Sequence, residues 1–206
     1  MTQNTLPTPQ DVIDYFIGDA AHSVDAAQQM FSLWFKKSDA TDTEIRERFQ
    51  PLLETLSAGP LAKDWSERGP DGRLAAIIVL DQFSRNMFRG SPRSFAQDAL
   101  ALKLAVAGIE AGQDSKMSEV GRMFMYLPFE HSEDIHDQAT AIRLFSVLRD
   151  EARAPFRDMM ENTLSYAHQH RDVIAKFGRF PHRNAIVART NTPEEDAYLA
   201  TPGSGF

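Results

Sequence analysis

Leu74-Ala-Ala-Ile-Ile-Val-Leu80 is the longest unbroken apolar run in the chain, and it constrains the fold more than any other stretch. Seven apolar residues in a row fit a buried strand or a buried helix equally well. A strand needs a partner, and no second strand-like run exists to pair with it. The remaining apolar residues recur at helical spacing. The run therefore reads as part of a buried helix from Leu74 to Phe88, and the fold class as all-α. Seven residues also fall far short of the roughly 20 that a membrane span requires.

Prolines, glycines and capping residues set the expected boundaries. Thr8-Pro9 caps a short helix to Ile17, ended by Gly18. A second covers Ser23 to Lys37, with Met30, Phe31, Trp34 and Phe35 on its apolar side. Thr41-Asp42-Thr43-Glu44 is a capping box opening a helix through Ile45, Phe49, Leu52, Leu53 and Leu56 to Gly59. Pro51 is expected to kink or split that helix. Pro60 to Trp65 makes one or two turns, and Arg68 to Gly72 is the clearest loop of the first half. Ser91-Pro92 caps a helix lined by Phe95, Ala99, Leu102, Val106 and Ile109. Ser118 to Tyr126 is helical until Pro128. Ser132 caps a helix to about Glu151, with Ile135, Ala139, Ile142, Phe145 and Leu148 buried. Pro155 opens a long helix to Phe177, ended by Gly178; Pro181 opens a short one. Thr192-Pro193-Glu194-Glu195 is a second capping box. The sum is nine or ten helices joined by short loops, which makes neighbours antiparallel. We expect one domain over 1–206, with residues 1–8 and 201–206 as flexible tails.

Composition narrows the chemistry. A chain of 206 residues without cysteine has no disulfide framework, no thiolate metal site and no cysteine nucleophile. A net charge of -7 repels phosphate backbones, so no nucleic acid partner is expected. The N-terminus has no basic segment and no apolar core, so it is not a secretory signal, and a cytoplasmic protein with no membrane partner is expected. No phosphate-cradling glycine loop, zinc-protease motif or dinucleotide fingerprint is present, so no cofactor is expected.

Three polar stretches carry whatever chemistry there is. In Phe177-Gly-Arg-Phe-Pro-His-Arg-Asn184, Pro181 places His182, Arg183 and Asn184 in a first helical turn, where the dipole disfavours a cation unless an anion is near. Arg179 adds a second cation. The anion is either a carboxylate of this chain (Glu130, Glu133 or Asp134) or a bound phosphate or carboxylate. In Tyr126-Leu-Pro-Phe-Glu-His-Ser-Glu-Asp134, capping explains Glu133 and Asp134 but not Glu130 and His131. Glu130, His131, Glu133 and His182 also make a conceivable metal set, and Glu133-x-x-His136 is half of a carboxylate di-iron pattern. In Asp81-Gln-Phe-Ser-Arg-Asn86, Asp81 and Arg85 stand four apart, with Arg89 four further on, which favours an ion-paired, solvated face. His168 and His170 read as surface residues. The best functional reading is a binding module in which Arg85, Asn86, Arg89, Glu130, His131, Glu133, Arg179, His182, Arg183 and Asn184 hold an anionic small molecule or acidic peptide. An enzyme using His131 or His182 with Glu130 or Glu133 is one alternative; a purely structural polar network is the other.

Ile78 to Gly90, Tyr126 to Asp134, and Phe177 to Asn184 followed by Thr192 to Glu195 together resemble an uncharacterised bacterial family, domain of unknown function 924. The resemblance covers most of the chain after about residue 30. Ser84 stands where that family's pattern carries proline. The resemblance implies helical hairpins in a tetratricopeptide-like superhelical arrangement, with no sheet. It implies no established activity.

Overall fold

The computed structural model of the chain describes residues 5–205. Among these residues are ten α-helices and no strand. They are α1 (Pro9–Phe16), α2 (Val24–Phe35), α3 (Asp39–Ser57), α4 (Pro60–Glu67), α5 (Pro70 to Met87), α6 (Asp98–Glu110), α7 (Glu119–Glu130), α8 (Ile135–Glu151), α9 (Arg157–Phe177) and α10 (Pro193–Leu199). None is long and apolar enough to cross a membrane. Of the expected tails, residues 1–4 and 206 lie outside the described residues. Thr8 is the N-cap of α1, and the Ser204 hydroxyl donates to the Leu199 carbonyl.

Helix α5 is the axis. Every residue from Gly72 to Ser84 is buried, and α1, α3, α4, α6 and α7 all pack on it. A helix apolar on all sides is stable only when surrounded in this way. Its ring contacts extend the core outward: Phe83 meets Phe16, Phe49 and Tyr15. Beside it, the indole of Trp34 donates to the Phe16 carbonyl at 2.7 Å. Between Ile78 and Phe83 the helix widens into a π turn. Such turns are rare, and they concentrate at functional sites. This one carries Asp81 and Gln82 into the core.

Several boundaries differ from the sequence reading. Pro51 and Pro128 sit inside continuous helices, α3 and α7. An interior proline costs about 3 kcal/mol, and here burial of Leu52, Leu53 and Leu56, and of Leu127 and Phe129, outweighs it. Ser38, not the Thr41 box, caps α3. The Arg68 to Gly72 loop shrinks to two residues, because Pro70 already begins α5. Ser91 caps only a single 3₁₀ turn, and α6 starts at Asp98. The buried face of α6 is Ala101, Leu104, Ala105 and Gly108, while Val106 is exposed. Apart from Lys103, every residue of that helix between its two acidic ends is apolar, so periodicity could not choose its face. Asp134, not Ser132, caps α8, whose buried residues are Gln138, Ala141, Leu144, Phe145 and Leu148; Ile135 faces solvent. Helices α7, α8 and α9 pack side by side, and the Arg153 fork on Glu119, at 2.8 and 2.7 Å, pins the α8–α9 connection to the start of α7.

Gly72 is required by the close approach of α4. A Cβ there would stand 2.2 Å from the Trp65 carbonyl oxygen, a backbone atom that cannot swing away. Gly72→Ala is therefore expected to destabilise the fold by about 1–3 kcal/mol, lowering Tm by several degrees. An unchanged Tm in calorimetry would contradict this packing.

Candidate functional site

The three polar stretches do meet, around Asp81. The side chain of Asp81 is fully buried, contrary to the solvated face expected from its spacing. A desolvated carboxylate is stable only if donors surround it. Asp81 accepts from the Gln82 amide, from Arg85 Nη1 at 3.0 Å and from His131 Nδ1 at 2.8 Å. Burial pushes its pKa up, but the Arg85 charge and the His131 contact outweigh burial and hold it well below the usual carboxylate range. His131 follows the last turn of α7, and its pKa is lowered by burial and by the Arg85 charge. It is thus a neutral imidazole whose Nδ1–H points at an ionised carboxylate, which leaves Nε2 as the basic nitrogen. Nε2 has no hydrogen-bond partner among the described residues.

From Asp81 the polar chain continues outward. Arg85 also forks onto Asp98, with Nη1 and Nη2 each 2.9 Å from a carboxylate oxygen. Asp98 Oδ2 then lies 3.6 Å from Arg183 Nη1. The Arg183 guanidinium sits over the rings of Phe95 and Phe180, 4.7 and 4.5 Å from their centroids. It is 8% exposed, its Nε is buried without a partner, and it makes no hydrogen bond among the described residues. Burial, reinforced by the Arg85 charge, pushes its pKa down to about 10.

The neighbouring arginines behave differently. Arg89 forks onto Asp42 at 2.9 and 3.1 Å, and the Asn86 amide joins it there at 2.8 Å. Arg179 forks onto Glu195 at 2.6 and 2.8 Å, beside the Asn184 amide. Arg189 forks onto Glu133 at 2.6 and 2.9 Å, and Glu133 also accepts the Phe180 N–H at 2.8 Å. These corrections redistribute the expected site. Asn86 and Arg89 tie α5 to α3, and Arg179 and Asn184 tie the 3₁₀ turn to α10. Carboxylates of this chain do answer the arginines, but Asp42, Asp98 and Glu195 were not among the candidates, and Glu133 answers Arg189. Pro181 opens only a three-residue 3₁₀ turn, Pro181–Arg183, so the helix-dipole argument for an anion lapses. His170 is buried rather than on the surface; its Nδ1 donates to the Tyr166 carbonyl at 2.9 Å and stands 3.1 Å from Glu130 Oε1. Burial lowers the His170 pKa to about 3. Burial also takes His182 to about 4, with Arg183 adding to the shift.

Sequence reasoning missed Asp98, Arg189 and His170. Asp98 had one available signal: it lies just after Phe95, on the segment entering the most apolar helix, where a lone carboxylate has reason to be paired. Among the described residues no group of three or more metal-ligating side chains is arranged to hold an ion. A surface cavity of about 450 Å³ beside Tyr15 and Met30, and one of about 250 Å³ lined by Ile135, Ala139, Ile142 and Arg171, include no residue of this cluster.

Comparison with other proteins adds a relationship without an activity. A family model described as bacterial protein of unknown function (DUF924) matches residues 12–203. A solved protein of unknown function from Agrobacterium tumefaciens is 36% identical, with a TM-score of 0.76, over 93% of this chain and 96% of that one. No curated protein matches the chain.

Glu130 supplies a measurable consequence of burial. Desolvation, helped by the Asp81 charge, raises its pKa from the ordinary 4.5 to about 8. The folded chain therefore keeps a proton there that the unfolded chain gives up. The resulting stability is complete below about pH 4.5 and is lost as pH rises through about 8. Glu130→Gln stays neutral at every pH. In urea melts from pH 5 to 8, the wild type is expected to lose stability relative to this variant; a constant difference would contradict a protonated Glu130.

Proposed function

Since the chain belongs to the bacterial DUF924 family, whose description assigns no activity, we propose from the site alone that the protein is a binding module for a small oxyanion or a carboxylate-bearing peptide, held by Arg183. One observation carries this reading. Arg85, Arg89, Arg179 and Arg189 each hold a carboxylate with both prongs of the guanidinium, whereas Arg183, the most buried of the five, has only a single oxygen at 3.6 Å. A buried guanidinium without hydrogen bonds costs several kcal/mol. A phosphate or carboxylate matching its fork relieves that cost. The flanking rings of Phe95 and Phe180 hold the planar guanidinium in place, as a receptor requires. Helices arranged as tetratricopeptide-like hairpins would offer such a pocket on an inner face, and a small anion suits a cytoplasmic setting.

A second reading rests on the same forks: four of the five arginines here are already neutralised, as expected of a closed network that only locks helices together. Thermal melts separate the two. With Arg183 as receptor, millimolar phosphate, sulfate or acetate raises Tm of the wild type, by about 2.7 kcal/mol of stability at 100 times Kd, and leaves Tm of Arg183→Met unmoved. A purely structural Arg183 gives a lower Tm in Arg183→Met and no anion effect in either protein, and that result would end the binding reading.

A further inference from the structure

Resting on the anion reading above, we propose that His131, positioned by Asp81, is an acid–base catalyst acting on an oxyanion-bearing substrate held by Arg183. Three features support it. First, the tautomer is set: Nδ1–H donates to Asp81 Oδ1 at 2.8 Å, so the lone pair is on Nε2. Second, the network has a direction. Neutral His131 meets Asp81, and from there Asp81, Arg85, Asp98 and Arg183 alternate in charge, so the basic nitrogen and the guanidinium that lacks a hydrogen bond belong to one cluster. Third, the base is partly open. Asp81 is sealed, whereas 15% of the His131 side chain, 21% of Asp98 and 10% of Arg183 remain exposed.

The step is a proton transfer at oxygen. A water attacking an ester carbon or phosphorus of the substrate loses its proton to Nε2 as the new C–O or P–O bond forms. The resulting imidazolium faces the ionised Asp81, and Arg85 and Asp98 balance each other behind it. The same proton then passes from Nε2 to the leaving oxygen as its bond to that carbon or phosphorus breaks. Water is the sole co-reactant, and no oxidant or reductant is required. Asp81 is a positioning residue, because it touches His131 rather than the substrate.

Diethyl pyrocarbonate tests this directly, because it acylates a reachable unprotonated imidazole nitrogen. Peptide mapping of the native chain at pH 6.5 is expected to show His131 modified. Inorganic phosphate should slow that modification roughly tenfold at about ten times its Kd, as mass action on a shared site requires, while the exposed His168 is unaffected. Arg183→Met should lose the protection. Asp81→Asn should slow the modification of His131, and where that variant fails to fold, the protection experiment on the unaltered chain still decides. Failure of His131 to react in the native chain overturns the acid–base proposal, even if phosphate raises Tm through Arg183 and the binding reading stands. A reactive His131 that phosphate neither protects nor accompanies with a Tm shift overturns the anionic substrate and the proposal with it.

Discussion

A carboxylate with no exposed surface imposes conditions on everything around it. Asp81 meets them with donors from its own helix and from the end of α7, which sits fifty residues further along the chain. Because removing one partner of a buried pair leaves an uncompensated charge, at about 3–5 kcal/mol, the arrangement is all-or-none. Arg85 must be held between Asp81 and Asp98, so α6 must begin where it does. His131 must stop α7 at that height. Helix packing alone would tolerate small slides between α5, α6 and α7; the Asp81 centre does not.

Around this centre, charge is handled by a repeated device. Bidentate arginine–carboxylate forks tie α5 to α3 through Asp42, the segment after α9 to α10 through Glu195, and the start of α8 to the segment before α10 through Glu133. The planar guanidinium fixes direction as well as distance. These forks therefore specify which helix ends meet, while the apolar residues supply the bulk of the stability. Arg183 departs from this pattern, and the functional reading follows from that contrast.

The all-helical class was legible because hydrophobic spacing and punctuation are local. Thr8-Pro9, Pro60, Gly178 and Thr192-Pro193 act within a turn of themselves, and they stand where the spacing puts them. Local reasoning failed where tertiary burial overrode it. Pro51 and Pro128 do not break their helices, because the neighbouring leucines and Phe129 are held by the core. The α6 sequence is apolar nearly throughout, with Lys103 the one charge between its ends, so its buried face is decided by α5 and not by its own pattern. The meeting of the three polar stretches was legible in outline: Asp81 contacts His131, and Glu133 contacts the Phe180 N–H. The pairing was not, because each arginine chooses among 29 acidic residues according to distances that only the fold sets. Glu195 illustrates the difficulty. As a capping-box residue it had a sufficient local role, and that role hid its second one as the partner of Arg179.

The π turn in α5 lets one helix serve both the core and the polar network. A π turn is equivalent to one residue inserted into an α-helix. The wide turn absorbs that residue, so the helix on either side keeps close to the phase of an unbroken α-helix. The apolar half of α5, before the turn, is seated among α1, α4 and α7, and Arg85, Asn86 and Arg89 beyond it still reach Asp98 and Asp42. The extra residue is thus a local bulge that brings Asp81 and Gln82 into the core while the polar end of the helix stays aimed at its partners.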